Sequence, residues 1–111
     1  MNWIPLTTEE QLTSLVEKST AIPQVIFKHS TRCSISSMVL NRLERADTPE
    51  GIDFYYLDLL QFRSISNQIA EKFNVYHESP QLLLIKQGEC VYDESQMGIS
   101  MDELADEASK N

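Results

Sequence analysis

The sequence predicts an α/β fold in which a central mixed sheet of about four strands carries helices on both faces. Short apolar runs typical of buried strands alternate with stretches in which apolar residues recur at helical spacing, and a Gly-containing turn separates the last two runs. The 111 residues are 41% hydrophobic with only three Gly and four Pro, which is typical of an ordered globular chain. This length fits one domain over 1–111, and an additional short strand near the N-terminus is left open.

The first predicted elements are a helix and a strand. A capping box opening at Thr7 or at Thr8 starts the helix, and leucines at helical spacing extend it over about 8–19. After an Ile-Pro break, the β-branched and apolar run 24–28 has the composition of a buried strand.

A second helix is predicted to begin at the first cysteine. The strand ends in the polar loop 29–32, and from Cys33 onward apolar residues recur at helical spacing. The segment 47–51, which holds Pro and Gly, ends this pattern.

The second half of the chain predicts strand, helix, hairpin and helix. The run 52–59 is rich in aromatic and aliphatic residues, and helical spacing follows over 62–73. The runs 81–86 and 89–93 form the two strands of a hairpin, and a capping box at Ser100 opens the last helix.

This order of elements fixes where a site is expected. Alternating strands and helices predict parallel strands joined by right-handed crossovers, and the hairpin adds an antiparallel edge. Ligands of such sheets bind beyond the carboxyl ends of the strands, which is where the loop before Cys33 must lie.

Charge and hydropathy exclude several classes of function. A net charge of -8 disfavours binding to phosphate backbones and to anionic membrane surfaces. The longest continuous apolar run, 82–85, is far shorter than the roughly 18 residues that cross a bilayer. The first residues have neither the basic start nor the apolar run of a secretion signal, so we expect a cytoplasmic protein that binds neither nucleic acid nor membrane.

Cys33 is the candidate nucleophile. At the N-terminus of a helix, unpaired backbone N–H groups and the helix dipole favour a thiolate, and cysteines in this setting are often reactive at neutral pH. The segment from Lys18 to Leu43 holds no carboxylate although the chain is acidic. Its basic side chains are Lys18, Lys28, His29, Arg32 and Arg42.

The predicted site has one thiol. Ser36 stands three residues after Cys33, where a dithiol enzyme has its second cysteine, so exchange must pass through a mixed disulfide that an external thiol resolves. Cys90 lies in the closing hairpin and is interpreted as structural. His29 and Cys33 lie four residues apart, but Cys90 and His77 do not complete a four-ligand zinc set with them at the usual spacing, so no metal is expected, and no Gly-rich loop indicates nucleotide chemistry.

Two segments carry a family resemblance. These are 28–36, Lys-His-Ser-Thr-Arg-Cys-Ser-Ile-Ser, and 78–81, Glu-Ser-Pro-Gln. They resemble the YtxJ-type monothiol bacilliredoxins of the thioredoxin-like superfamily, whose signature is Thr-x-Cys-Pro-Ile-Ser. The sequence keeps four of its five specified positions and has Ser34 in place of the proline. Gln96 and Met97 stand before Gly98 where the family is expected to have an aromatic-containing pair, and no binding role is assigned to them.

The resemblance implies a thioredoxin-like fold in which Pro80 is cis and lies opposite Cys33. It also implies that the backbone of Ser79 pairs with an extended substrate as a strand would. The residues expected to bind substrate are Thr31, Arg32, Ser34, Ser36, Ser79 and Pro80. Lys28 and His29 are candidates for tuning the thiol pKa.

The implied activity is removal of bacillithiol from S-bacillithiolated client proteins through a mixed disulfide on Cys33. Bacillithiol is then the low-molecular-weight thiol co-substrate, and a disulfide reductase can complete the cycle. Two alternatives stay open. One is a monothiol glutaredoxin-like iron–sulfur carrier, which anaerobic absorbance spectra would reveal. The other is a redox-inert adaptor, which would not react with disulfides.

Overall fold

The computed structural model describes residues 1–110, which form five β-strands and four α-helices. The strands are β1 (Ile4–Pro5), β2 (Gln24–His29), β3 (Asp53–Asp58), β4 (Gln81–Lys86) and β5 (Glu89–Ser95). The helices are α1 (Glu9–Lys18), α2 (Ser34–Arg45), α3 (Arg63–Phe73) and α4 (Met101–Ser109), and a 3-10 turn (Gln96–Gly98) precedes α4.

The strands form one mixed sheet in the order β1-β3-β2-β4-β5. β1, β3 and β2 run parallel, whereas β4 is antiparallel to both β2 and β5. The predicted α/β fold with a mixed sheet is therefore confirmed. The short N-terminal strand exists, and the last strand is two residues longer than predicted because Ser95 still pairs with Gln81.

Two hydrophobic cores lie on opposite faces of the sheet. On one face, leucines of α1 and isoleucines of α3 pack against residues such as Ile26 of β2. On the other face, Val39 and Leu43 of α2 and Leu104 of α4 pack against neighbours such as Phe27. Successive residues of β2 thus serve different cores, as the period of two in a strand requires.

Local signals explain the two capped helices. Of the two capping boxes that the sequence offers for α1, the structure has the one in which Thr8 Oγ1 accepts from Gln11 N at 3.1 Å. The Oε1 atom of Gln11 in turn accepts from Thr8 N at 3.1 Å. At α4, Ser100 Oγ accepts from Glu103 N.

One edge of the sheet gathers the segments that carry the candidate residues. The carboxyl ends of β2 and β3 lie side by side there, with His29 paired to Asp58. Because β4 runs antiparallel, its first residue, Gln81, pairs with Lys28 at the same edge. We call this edge the site edge, and it brings the loop before α2 close to the segment that ends at Pro80.

Candidate active site

Cys33 is the N-cap residue of α2 and lies at the site edge. Its side chain is half-buried, its backbone N–H donates to Ser30 O at 3.1 Å, and its carbonyl accepts from Ser37 N at 3.1 Å. The sulfur therefore belongs to a residue at the positive end of a 12-residue helix, where free N–H groups favour an anion.

The polar neighbours of Cys33 are exposed. Thr31, Arg32 and Ser34 all face solvent on the loop and on the first turn of α2. They are therefore accessible to a molecule that approaches the sulfur. Arg32 supplies a guanidinium that can pair with a carboxylate.

Ser36 is buried and braces the start of α2 from inside. Its hydroxyl shares a hydrogen bond of 2.7 Å with Nδ1 of His29 and accepts from Ser30 N at 3.1 Å. Its exposed fraction is 0%, so this side chain does not reach the surface where the sequence predicted a contact with substrate.

His29 is held in an aromatic cluster beside this brace. Its ring stacks on Phe27 at a centroid distance of 5.9 Å and lies 5.5 Å from the ring of Tyr56. Burial lowers the pKa of His29 below its usual 6.5, and the carboxylates of Asp58 and Glu44 oppose this in part. This shift favours the neutral ring, which takes part in the hydrogen bond with Ser36 and packs against Phe27 and Tyr56.

Lys28 lies on the other face of the sheet from α2. It is fully buried, and its Nζ donates to Ser66 O of α3 at 3.3 Å and lies 3.4 Å from Nδ1 of His77. Burial lowers the pKa of Lys28 to about 8. Within residues 1–110 no carboxylate forms a salt bridge with it. The structure does not bring Lys28 and Cys33 together. Lys28 contacts α3 on one face of the sheet, whereas Cys33 begins α2, which packs on the opposite face.

The peptide bond between Ser79 and Pro80 is cis, as the resemblance implies. Pro80 is buried and Ser79 is half-buried immediately before β4, at the site edge. In the described part of the chain the buried hydroxyl of Ser79 has no hydrogen-bond partner.

Gln96 contacts the Ser79–Pro80 segment, and the sequence did not predict this contact. Its side-chain Nε2 donates to Ser79 O at 2.9 Å, and its backbone N–H donates to Pro80 O at 3.0 Å. The following residues are tied to α2, because the Arg42 guanidinium donates to Met97 O at 3.1 Å and also to Ile99 O. Because polar residues are common at the ends of strands, no sequence pattern at Gln96 predicts this contact.

Cys90 lies at the opposite end of the sheet. It pairs with Ile85, which faces Gln24 at the far end of β2 from His29. Five steps along a strand span about 16 Å, whereas a disulfide needs Cα atoms within about 7 Å. Both cysteines are free in the described chain, and burial raises the pKa of Cys90 to about 11.

Metal-binding clusters and membrane-spanning helices are both absent from residues 1–110. As far as residue 110, no group of three His, Cys, Asp or Glu side chains has a metal-binding arrangement. Over the same range, no helix has both the length and the apolar character of a membrane span.

Solved structures with a similar fold are thioredoxin-like. One is a candidate oxidoreductase of thioredoxin fold, with 32% identity, a TM-score of 0.79 and coverage of 94% of this chain and 91% of that one. Thioredoxin from Malassezia sympodialis has 17% identity, a TM-score of 0.70 and coverage of 95% and 86%. Thioredoxin from Trypanosoma brucei brucei has 13% identity, a TM-score of 0.73 and coverage of 95% and 89%. The last two show the fold alone, and the predicted thioredoxin-like fold is confirmed.

A family comparison covers almost the whole chain. The family described as monothiol bacilliredoxin BrxC matches residues 4–104. This range includes Cys33, Ser36 and the Ser79–Pro80 pair. The resemblance that the sequence carries is therefore confirmed, and the chain belongs to the monothiol bacilliredoxin family of thioredoxin-fold oxidoreductases.

Proposed function

We propose that this protein removes bacillithiol from S-bacillithiolated proteins by monothiol exchange at Cys33. The main observation that supports the proposal is the environment of Cys33. It is half-exposed at the start of α2, it has Ser36 where a second thiol would resolve it, and Cys90 lies at the far end of the sheet. Such a site forms a mixed disulfide that only an external thiol can resolve.

The exchange proceeds in two steps. The Cys33 thiolate attacks the bacillithiol sulfur of the client's mixed disulfide, the S–S bond breaks, and the client leaves as a thiolate that takes a proton from water. A second bacillithiol thiolate then attacks the sulfur of bacillithiol held on Cys33. This step releases bacillithiol disulfide and restores the Cys33 thiolate, and a disulfide reductase converts the released disulfide back to two thiols.

The exposed residues around Cys33 are proposed to bind the two substrates. Thr31, Arg32 and Ser34 contact bacillithiol, and the Arg32 guanidinium pairs with the carboxylates of its malate group. The backbone of Ser79, beside Pro80, pairs with the client chain as a neighbouring strand would.

One buried contact and one partly buried contact are proposed to hold this surface in shape. The hydrogen bond between Ser36 and His29 fixes the first turn of α2, so these side chains position the nucleophile without touching substrate. Lys28, through its contact with His77, supports the segment that leads to Ser79 and Pro80.

The setting of the activity is proposed to be the cytoplasm, with residues 1–111 acting as one domain. The proposal rests on the free Cys33 thiol, which requires reducing conditions. The reductants of that compartment would supply the electrons for each turnover.

The experiment is a release assay with a bacillithiolated client protein and free bacillithiol, followed by mass spectrometry of the client. The wild-type protein should release the modification, and Cys33→Ala should reduce the rate to that of bacillithiol alone. Cys90→Ala is the matched control and should match the wild type. Equal release by wild type and Cys33→Ala would reject the proposal.

A further inference from the structure

Gln96 has a backbone conformation that its position in the chain does not explain. Among residues 1–110, Asn74, Gln87 and Gln96 are the non-glycine residues with positive φ. Asn74 is the C-cap of α3, and Gln87 precedes Gly88 in the β4–β5 turn, two places where this conformation is usual. Gln96 has φ +56° at the start of a 3-10 turn. This conformation is energetically unfavourable for a non-glycine residue, so contacts with neighbouring residues must stabilise it.

Two hydrogen bonds hold Gln96 in this conformation. Its backbone N–H donates to Pro80 O at 3.0 Å, and its side-chain Nε2 donates to Ser79 O at 2.9 Å. Both donor–acceptor distances are typical of N–H···O hydrogen bonds in proteins. Together they turn the carboxamide onto the segment that the proposed function assigns to the client.

The Ser79 carbonyl is the acceptor that an extended client would need. A chain that adds to a sheet edge donates its own N–H groups to exposed main-chain carbonyls and accepts from neighbouring N–H groups. With Gln96 in place, a client N–H must either share this oxygen with Nε2 or displace it. A small thiol without a peptide main chain meets no such competition.

We propose that Gln96 is a specificity-determining residue that disfavours extended polypeptide at Cys33 relative to small thiols. This inference rests on the proposed function, because it assumes that the client approaches along Ser79. The side-chain amide donates a hydrogen bond to the Ser79 carbonyl, which is the bond that a main-chain N–H of a client would otherwise donate. The site therefore retains bacillithiol in preference to the protein from which it was removed.

The chain offers a conservative variant and a matched control. Gln96→Asn keeps a carboxamide and a residue type that tolerates positive φ, but its side chain is one methylene shorter and cannot reach Ser79 O in the same way. Gln87→Asn makes the same change at the other end of the sheet. There the Gln87 amide donates to Thr20 O at 3.1 Å and the residue also has positive φ.

The test compares two mixed disulfides of 5-thio-2-nitrobenzoate. One partner is a capped Ala-Ala-Cys-Ala-Ala peptide, and the other is 2-mercaptoethanol. The Cys33 thiolate attacks the sulfur of the peptide or of mercaptoethanol, the S–S bond breaks, and the coloured thiolate leaves. The ratio of the peptide rate to the mercaptoethanol rate should rise about three- to tenfold in Gln96→Asn, the value of one recovered hydrogen bond, and should stay unchanged in Gln87→Asn.

The outcomes separate this inference from the proposed function. An unchanged or lower ratio in Gln96→Asn, with folding verified by circular dichroism, would overturn the role of Gln96, since a residue that only positions the segment would slow the peptide. Failure of the wild type with both disulfides would instead reject redox chemistry at Cys33. In that case the peptide with serine in place of cysteine tests Gln96 by affinity, which should rise in Gln96→Asn and would overturn the inference if it did not.

Discussion

Replacing Lys28 by methionine should stabilise the protein at neutral pH. The ammonium is fully buried, and its pKa falls from 10.5 to about 8 because burial disfavours the charged form. Since one pKa unit corresponds to about 1.4 kcal/mol, the buried charge costs about 3 kcal/mol at pH 7. Methionine has a similar length and no charge, and it loses only two long hydrogen bonds, so we expect Lys28→Met to gain about 2 kcal/mol.

The pH dependence of this gain is the diagnostic part of the prediction. Below pH 8 both the folded and the unfolded chain carry the Lys28 charge, and the full cost applies. Between pH 8 and 10.5 the folded protein releases a proton that the unfolded chain keeps, so wild-type stability rises with pH and the cost disappears. The stability difference between Lys28→Met and the wild type should therefore fall by about 2–3 kcal/mol between pH 7 and pH 10, so that the advantage of the variant is lost or slightly reversed at pH 10.

Urea denaturation of both proteins at the two pH values measures this difference. Removing Lys28 also changes the titration of His77, whose pKa the Lys28 charge helps to lower. Both pH values lie above the ordinary pKa of histidine, so subtracting the two unfolding free energies still reports chiefly on Lys28. Gln24→Met, at a buried uncharged position of the same strand, should give a difference from wild type that does not depend on pH. An advantage of Lys28→Met that is absent at pH 7, or that is the same at pH 10, would refute the reasoning.

Three further predictions concern the thiol site. Ser36→Ala leaves the buried Ser30 N–H and His29 Nδ1 without their partner. Urea denaturation should therefore show an unfolding free energy lower by about 2–4 kcal/mol, and an unchanged value would contradict the stabilising role of Ser36. Ser36→Cys places a second thiol three residues after Cys33, and mild oxidation should remove two hydrogens by intact mass and leave no free Cys33 thiolate to attack a mixed disulfide until a thiol reduces the ring. Iodoacetamide at pH 7.5 should label Cys33 alone in the native protein, since the pKa of Cys90 is about 11, and should label Cys90 only after denaturation.

The features that the sequence predicts well are those with local signals. The cap at Thr8, the hairpin turn before Glu89 and the start of a helix at Cys33 each depend on a few neighbouring residues, and the structure has all three. The monothiol arrangement follows in the same way from the spacing of Cys33 and Ser36.

Side-chain partners across the sheet could not be predicted, because they depend on register and on which face each helix covers. The basic segment around Lys28 faces carboxylates from elsewhere, since β2–β3 pairing places Asp58 beside His29. Lys28 itself points to the α3 face, away from α2. The contact of Gln96 with Ser79 joins residues 17 positions apart at the ends of two antiparallel strands, and no local pattern records it.

The most direct test of monothiol chemistry is the mass of the enzyme after one turnover. The protein is mixed with a small excess of bacillithiolated client without free bacillithiol, quenched with acid, and analysed by intact and peptide mass spectrometry. We predict one bacillithiol adduct, located on Cys33, and one equivalent of client released as free thiol. An enzyme that loses two hydrogens by joining Cys33 to Cys90, or that carries the adduct on another residue, would contradict the account.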